Sequence, residues 1–572
     1  MLRWRLFFCT LLLGGGLWAQ IDGPAWRFHS IRNAQGDELL KVSDRDYFQL
    51  KADSTFQYEL AAKNNLLARG SYRLKGDTLL LRYQLPGDTL RRYYLSERSD
   101  STLTLYESGV SYRFVRARAD TRSAQQDLDQ LPLNYDSSGK DFSLLGVLRG
   151  LLGILVLIGL GVLFSNRRRA ISWSLVSKGL AIQIIFAFAI LRISAVRTAF
   201  DSLSSFFVIL LNFTKEGSEF LFGGLMDDQQ SFGYIFAFQV LPTVIFFSAL
   251  TSLLFYYGLL QKIVYAFAWL MKRTLKLSGA ESLAAAGNIF LGQTESPLLV
   301  KPYISKMTKS ELMCLMSGGM ATIAGGVLFA YIGFLGGGDP DQQLMFAKHL
   351  LAASVMSAPA AVVASKILVP ETGEVNRTMR LNKTDMGDNA LEAITNGTTQ
   401  GLKLAVNVGA MLLVFIALVA MVNAFFEDFI GAQLGLNAWV QDITDGQYSG
   451  LTLEFILGIC LAPVTWLMGV ANEDIMYVGQ LLGEKTILNE FVAYVSLSEL
   501  MAAGKFSSEK SIIIATYILC GFSNFASIGI QIGGIGSLAP SRKGDLSKLG
   551  VRALIGGTLA SLFTAVIVGM II

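Results

Sequence analysis

Residues 287–299 read GNIFLGQTESPLL, which places an amide, a hydroxyl, a carboxylate and a proline in the middle of a long apolar region. An unpaired backbone group in the hydrocarbon core of a bilayer costs several kcal/mol, so such an interruption is tolerated only where protein or a water-filled cavity satisfies it. We therefore predict two half-helices that meet at residues 292–297. Together they would form a re-entrant hairpin whose tip presents Gln293, Thr294 and Glu295.

The composition of the 572-residue chain is that of a membrane protein, with 52% hydrophobic and only 16% charged residues. The net charge of +4 is small and spread in short clusters, which indicates charge asymmetry between loops rather than a surface for nucleic acid. The two histidines have no cysteine or carboxylate neighbours at metal-ligand spacing, so a zinc site is not expected. The carboxylates of the apolar segments lack a partnering His or Cys, which argues against an enzyme.

The first residues, MLRWRLFFCTLLLGGGLWAQ, combine two arginines, a short apolar core and small residues before Gln20. This pattern predicts a secretory signal over residues 1–19 that is cleaved near Ala19. The chain that follows would then be exported. An uncleaved membrane anchor is the alternative.

Residues 20–118 are predicted to form an exported antiparallel β-meander, which we interpret as lipocalin-like. Aromatic and leucine residues alternate with polar ones around the turn-forming triplets at 53–55, 76–78 and 100–102, as in β-hairpins. This module offers no catalytic constellation, so it either binds a molecule outside the membrane or acts as a structural cap. Residues 119–141 are polar with little periodicity and are predicted to be a linker.

Long apolar runs beyond the linker predict an α-helical, multi-spanning membrane protein embedded in the lipid bilayer. The first transmembrane helix is assigned to residues 142–169, and the basic cluster at its end belongs in the cytoplasm by the positive-inside rule. That orientation predicts the inner (plasma) membrane with a periplasmic N-terminal module. Further runs near the roughly 20 residues that a crossing helix needs lie at 173–192, 231–257, 311–336, 343–368, 400–425, 511–536 and 550–572.

Two segments between these runs, residues 199–226 and 262–279, have an apolar face and scattered charges. They are predicted to lie along the membrane interface.

A second segment, residues 452–483, repeats the pattern of the opening stretch and places Ala-Asn-Glu473 between two short apolar halves. Each segment is followed by an interrupted span, at 317–332 and at 520–536. Paired broken helices in corresponding halves indicate the binding site of a secondary transporter with an internal inverted repeat. A carboxylate at mid-bilayer costs about 2.5 to 3.5 kcal/mol on the gentler scale, so two of them imply a ligand or pathway role. We expect the two tips to meet around a solute.

The membrane part is divided accordingly. Residues 488–507 are expected to add an interfacial helix, with Asn489 and Glu490 as its cap. The divisions are N-terminal scaffold helices at 170–278, the first hairpin and broken helix of the transport domain at 279–368, scaffold and interfacial helices at 369–447, and the second hairpin, broken helix and last transmembrane helix at 448–572.

Four motifs in order resemble those of the concentrative nucleoside transporter family: GQTESPLLVKPYI (292–304), ATIAGGVL (321–328), GEKTILNEFVAY (483–494) and CGFSNFASIGI (520–530). The resemblance covers residues 170–572. It implies a homotrimer in which each protomer has its own site and couples nucleoside uptake to a cation gradient by alternating access. No enzymatic activity and no cofactor are implied.

The resemblance also implies roles for individual residues. An amide offers a donor and an acceptor to a base edge, a carboxylate accepts from vicinal hydroxyls, and an aromatic face suits a flat heterocycle. The positions that match the family's nucleobase site are Gln293, Thr294, Glu295, Val327 and Phe522. Those that match its ribose site are Glu473, Asn524 and Ser527.

For the coupling ion, the resemblance implies sodium. The matching positions are Asn288 and Thr322 through side chains, and Leu291, Ile323 and Gly326 through main-chain carbonyls. Ligation by oxygen alone at broken helices suits a hard monovalent cation. A proton carried by Glu295 or Glu473 is the alternative, and a receptor whose β module senses a ligand is a less favoured function. The choice between purine and pyrimidine nucleosides stays open.

Overall fold

The computed structural model forms two compact units, residues 1–133 and residues 134–572. The predicted signal (1–19) and linker (119–141) lie outside the residues that the structure describes. The described residues are 26–32, 38–40, 47–50, 55–60, 66–75, 78–85, 90–98, 102–107, 110–116 and 144–572 except 224, 226–234, 338, 377 and 380–387.

The N-terminal unit is a meander of nine antiparallel strands in which each strand from β3 to β9 pairs with its neighbour in the chain. Strand β1 pairs with β2 and β3 and also with β9, which closes the sheet into a barrel. The predicted antiparallel meander is therefore confirmed. The strands are β1 (Trp26–Arg32), β2 (Glu38–Leu40), β3 (Tyr47–Leu50), β4 (Thr55–Leu60), β5 (Leu66–Lys75), β6 (Thr78–Leu85), β7 (Leu90–Arg98), β8 (Thr102–Glu107) and β9 (Val110–Arg116).

Aromatic and aliphatic side chains together form the core of this barrel. Along β1, Trp26 and Phe28 are buried while Arg27 and His29 are exposed, as the two-residue period of a strand requires. The ring of Phe28 lies 4.6 Å from that of Phe114, centroid to centroid. The predicted turn triplets fall between β3 and β4, β5 and β6, and β7 and β8, so the three hairpins are confirmed.

The second unit is mainly helical. Its helices are α1 (Leu144–Leu163), α2 (Trp173–Arg192), α3 (Ser194–Phe222), α4 (Phe236–Gln239), α5 (Leu241–Tyr256), α6 (Leu259–Leu275), α7 (Gly279–Gly287), α8 (Ser296–Leu299), α9 (Lys301–Ile304), α10 (Lys309–Ala321), α11 (Gly325–Gly336), α12 (Pro340–Leu368), α13 (Ala390–Ala424), α14 (Ala432–Leu434), α15 (Leu436–Ile443), α16 (Leu453–Leu467), α17 (Ile475–Ile487), α18 (Glu490–Ala502), α19 (Glu509–Leu519), α20 (Phe525–Leu538) and α21 (Lys543–Ile571).

Eight helical stretches of the described residues are long and apolar enough to cross a membrane. They confirm the prediction of several apolar helices, with two differences. The predicted run 511–536 is divided between α19 and α20 and is not among the eight. Helix α3, in the segment that we expected along the interface, is a continuous 29-residue helix and belongs to the eight. Its charged residues stand in its first and last thirds, and the helix as a whole is long and apolar enough to cross. The eight stretches are Leu144–Leu163, Trp173–Arg192, Ser194–Phe222, Ala237–Tyr256, Lys309–Gly336, Pro340–Leu368, Ala390–Leu434 and Pro540–Ile571.

One succession of elements occurs twice in the helical unit. From α6 to α12 the chain forms a helix, a helix–turn–helix, a helix interrupted between α10 and α11, and a long helix. From α16 to α21 the same order recurs, with the interruption between α19 and α20. The turn that corresponds to residues 288–295 is therefore the one between α17 and α18, at residues 488–489.

This register differs from the predicted boundaries of the second hairpin, 452–483. Pro463 lies inside helix α16 without ending it, whereas Leu488 and Asn489 form the turn without glycine or proline. Asn489 caps the helix that follows this turn, because its side chain accepts a hydrogen bond from the Val492 N–H at 3.0 Å. Helix α18 is thus the second arm of the helix–turn–helix rather than an additional element.

Candidate solute and cation sites

The two helix interruptions are in direct contact with each other. Gly521, in the second interruption, has φ +97°, and a Cβ built on it would lie 2.5 Å from the main-chain oxygen of Ala321 at the first. Only glycine permits both this backbone conformation and this approach. Ser523 donates a hydrogen bond to the carbonyl of Met320 at 2.8 Å. The free ends of four half-helices are therefore gathered in one place.

A continuous chain of hydrogen bonds joins the two turns across these interruptions. Gln293 Nε2 donates to Ser527 Oγ at 3.1 Å, and the Ser527 N–H donates to Asn524 Oδ1 at 2.9 Å. Asn524 Nδ2 then donates to Glu490 Oε2 at 2.8 Å. The hydroxyl of Tyr331 donates to the other oxygen of Glu490 at 3.3 Å. All five residues are buried, so the chain is a structured polar path inside the helical unit.

At the first turn, the predicted residues differ in burial and orientation. Gln293 is buried, and its Oε1 has no hydrogen-bond partner among the described residues. Glu295 is half-buried and accepts a hydrogen bond from the Gly292 N–H at 3.0 Å, within its own turn. Thr294 is exposed, and its Cγ2 would lie 3.2 Å from a Cβ built on Gly534 of helix α20. The turn therefore packs against α20.

Val327 and Phe522 supply apolar surface near this polar path. Val327 lies one helical turn before Tyr331 on α11, so the two side chains share a face. Phe522 lies in the second interruption, two residues before Asn524. Both are buried.

Glu473 is not part of this arrangement. It lies in a short 3-10 turn between α16 and α17, its side chain is exposed, and its main-chain carbonyl accepts a hydrogen bond from Gln447 Nε2 at 2.9 Å. The carboxylate that contacts Asn524 belongs to Glu490. The prediction that Glu473 lies at the second tip is therefore wrong. The turn of the second helix–turn–helix is at residues 488–489, and Glu473 lies before its first helix.

Glu490 could have been found in the stretch LNEF. We interpreted both Asn489 and Glu490 as a helix cap, and this interpretation holds only for Asn489. Asn489 does cap α18. The Glu490 side chain instead faces Asn524 and Tyr331. A carboxylate at the first residue of an apolar helix, directly after a short turn, was the feature that could have indicated a functional role for Glu490.

The predicted cation ligands lie around the end of helix α10. Asn288 is fully buried and packs against Gly318, and neither atom of its amide has a hydrogen-bond partner within the described part of the chain. Thr322 Oγ1 donates to the Gly318 carbonyl at 2.9 Å. An unpartnered buried amide beside a hydroxyl and a helix C-terminus is a set of neutral oxygens that suits a hard cation.

The three residues predicted to bind the cation through main-chain carbonyls differ in their surroundings. Leu291 and Ile323 are buried on either side of this region. Gly326 is half-buried near helix α5, where an added Cβ would lie 3.8 Å from the Ser248 nitrogen. No group of three or more His, Cys, Asp or Glu side chains that could hold a metal occurs among the described residues.

Three family models match the helical unit. They are "Na+ dependent nucleoside transporter N-terminus" over residues 152–225, "Nucleoside recognition" over residues 237–338 and "Na+ dependent nucleoside transporter C-terminus" over residues 349–569.

Similar proteins match about three quarters of the chain. An uncharacterised transporter of Haemophilus influenzae is 40% identical over 75% of this chain and 98% of its own length. Sodium/nucleoside cotransporter 1 of Rattus norvegicus is 42% identical over 73% of this chain and 63% of its own. The solved structure of CNTnw in an inward-facing substrate-bound state has 36% identity and a TM-score of 0.67, and the match covers 74% of this chain and 97% of that one.

Proposed function

The chain belongs to the sodium-dependent nucleoside transporter family, and we propose that it imports nucleosides by symport with sodium across the inner (plasma) membrane. The observation that carries this proposal is the buried path of hydrogen bonds from Gln293 through Ser527 and Asn524 to Glu490. It links two turns from corresponding halves of the chain. Such a link is what a solute site between two repeats requires.

The ribose is bound at the second turn in this proposal. Glu490 accepts from vicinal hydroxyls, while Asn524 and Ser527 complete the polar surface. Glu490 takes the role that the resemblance implied for Glu473, because Glu490 lies in contact with Asn524. A site built to bind sugar hydroxyls rejects analogues that lack them, since its own buried groups would be left unpaired.

The nucleobase is bound at the first turn. Gln293 has an unpartnered buried oxygen, which suits a donor on the edge of the base. Thr294 and Glu295 lie next to it, and Val327 and Phe522 supply the apolar faces for a flat ring.

Sodium is the coupling ion and a second cargo. Asn288 and Thr322 supply side-chain oxygens, and Leu291, Ile323 and Gly326 supply carbonyls. The family favours sodium over a proton on Glu295 or Glu473. At about 100 mV one inward charge releases about 2.3 kcal/mol, and a tenfold sodium gradient adds about 1.4 kcal/mol, so one sodium ion supports accumulation of roughly several hundredfold.

The membrane arrangement follows from the same proposal. The helix–turn–helix segments at 279–304 and 475–502 are re-entrant hairpins of an inverted repeat, and alternating access exposes the site between them to each side in turn. The protein is a homotrimer, and its lipocalin-like β module lies in the periplasm, as a cap or as a binding module.

Uptake of labelled uridine into proteoliposomes tests the proposal. A sodium gradient is expected to drive accumulation, whereas a proton gradient without sodium is not. Competition by purine, pyrimidine and deoxyribose nucleosides would define the substrate range. Accumulation driven by protons alone would contradict sodium coupling, and uridine binding without any uptake would favour a receptor.

A further inference from the structure

A fully buried lysine lies at the second helix interruption. Lys485 is two residues before the end of helix α17 and has no exposed side-chain surface. Its Nζ donates to the main-chain carbonyls of Ile518 at 2.9 Å and Cys520 at 3.0 Å, and to Ser561 Oγ at 3.2 Å. None of the ion pairs found among the described residues includes Lys485. Its ammonium group therefore donates to carbonyls and a hydroxyl, and the buried Glu490 carboxylate attracts it without forming an ion pair.

The two carbonyls belong to the end of helix α19. The last carbonyls of a helix have no partner within the helix, and they carry the negative end of its dipole. An ammonium group has three donors and no acceptor, which matches the three oxygens around Lys485. Ser561 also donates to the Cys520 carbonyl, at 2.7 Å. This set of two main-chain carbonyls and one hydroxyl has the chemistry of a site for a small monovalent cation.

The first interruption has a matching arrangement without a lysine. Asn288 follows directly on helix α7 and packs against Gly318, near the end of α10, where Thr322 also points. In each half, one polar side chain at or just beyond the end of the first arm thus lies at the C-terminal end of the following half-helix. That side chain is an unpartnered neutral amide in the first half and a cation in the second.

We propose that Lys485 is a tethered cation that permanently occupies the second interruption, at the position where the first interruption takes up a mobile cation. The protein then needs one coupling ion per cycle rather than two. Lys485 is a positioning residue: by neutralising the end of α19 it fixes the interruption that carries Phe522 and Asn524. The inference rests on the proposed function for the cation site of the first interruption and its coupling to uptake.

Two substitutions of Lys485 separate a tethered cation from a packing role. Lys485→Asn replaces the ammonium with a neutral oxygen ligand, whereas Lys485→Met keeps the length of the side chain but supplies no ligand. In the full-length protein, Lys485→Asn is expected to raise the Hill coefficient for sodium in uridine uptake from about 1 toward about 2. The half-saturating sodium concentration of Lys485→Asn is also expected to be higher than that of the wild type. Lys485→Met is expected to lose uptake at every sodium concentration. A sodium curve of wild-type shape in Lys485→Asn, or wild-type uptake in Lys485→Met, would overturn the proposal.

Thermal stability gives a readout that does not need transport. In detergent, with choline replacing sodium at constant ionic strength, sodium is expected to raise the melting temperature of Lys485→Asn more than that of the wild type. It should raise that of Lys485→Met no more than that of the wild type. If the variants accumulate poorly, a sodium-rich growth medium should increase folded Lys485→Asn selectively, and an equal yield of both variants would count against the inference. Sodium-independent uptake by the wild type would overturn only the proposed coupling.

Discussion

The two turns of the helical unit differ in what holds their glutamates. Glu295 is bonded to the Gly292 N–H of its own turn, which spans eight residues between helices. Glu490 follows a turn of two residues and is bonded to Asn524 of the second interruption and to Tyr331 of helix α11. The orientation of the second carboxylate is therefore fixed by the tertiary structure, and that of the first depends on its turn alone.

The buried lysines of the two halves differ in the same way. Lys366, near the end of α12, lies 2.5 Å from Glu281 and donates to Ser310 at 2.9 Å. Lys485 contacts carbonyls and a hydroxyl instead. The ammonium group of Lys366 is thus bonded to an opposite charge, whereas that of Lys485 is bonded to the end of a helix. Four predictions test how far this contrast extends, beginning with the largest effect.

Breaking the ion pair of the first half is expected to have the largest effect. Lys366→Met leaves the Glu281 carboxylate buried without its partner, which costs about 3 to 5 kcal/mol. The double variant with Glu281→Leu should recover most of that loss. Unfolding by dodecyl sulfate in mixed micelles measures both.

Lys348→Met is the matched control on the same helix. Its partner Asp201 lies 2.7 Å away, but both side chains are partly exposed, so the expected loss is below about 1 kcal/mol. Equal losses at Lys366 and Lys348 would show that burial does not decide the cost.

The next effect compares the two candidate glutamates of the second half. Glu490→Gln weakens hydrogen bonds to a charged acceptor worth about 1.5 to 3 kcal/mol, which corresponds to a loss of roughly 10- to 150-fold in uridine uptake. Glu473→Gln, at an exposed position, is expected to stay within about twofold, as surface substitutions do. Initial uptake rates in proteoliposomes decide between them. A larger loss at Glu473 would restore the original assignment of the second tip.

The contact between the interruptions is tested at Gly521. Its positive φ alone costs an alanine about 1 to 2 kcal/mol, and the Cβ would also overlap the Ala321 carbonyl. Gly521→Ala is therefore expected to lower the melting temperature in detergent. Gly533→Ala is the control, since a Cβ there meets no atom within 4 Å, and unchanged stability in both variants would mean that the contact is not required.

The smallest expected effect concerns the cation site of the first half. Thr322→Val removes one hydroxyl ligand, worth about 0.5 to 1.5 kcal/mol, and should raise the half-saturating sodium concentration roughly 3- to 10-fold. Ser317→Ala removes a buried hydroxyl of the same helix that has no partner among the described residues. It is expected to leave the sodium curve unchanged. The same shift in both variants would place the cation elsewhere.

Much of the fold could be predicted because hydrophobic patterning acts locally. Alternation along the strands predicted the three β-hairpins, and apolar length predicted most of the long helices. Helix α3 was misjudged because its scattered charges were given more weight than its length and its apolar composition. The second turn was misplaced because Pro463 was expected to end a helix, yet helix α16 continues through it. The turn lies instead at Leu488 and Asn489, where there is neither glycine nor proline.

The sequence by itself determined that the chain has an apolar helical unit with two interrupted helices, since glycine, proline and polar clusters in apolar segments have few other solutions. It also brought Gln293, Asn288, Asn524 and the family resemblance into view. Only the tertiary structure decided which glutamate meets Asn524, and that a lysine meets the end of α19. Both contacts depend on which helix ends are packed together. That packing is decided by interactions between distant segments, so no single segment of sequence reveals it.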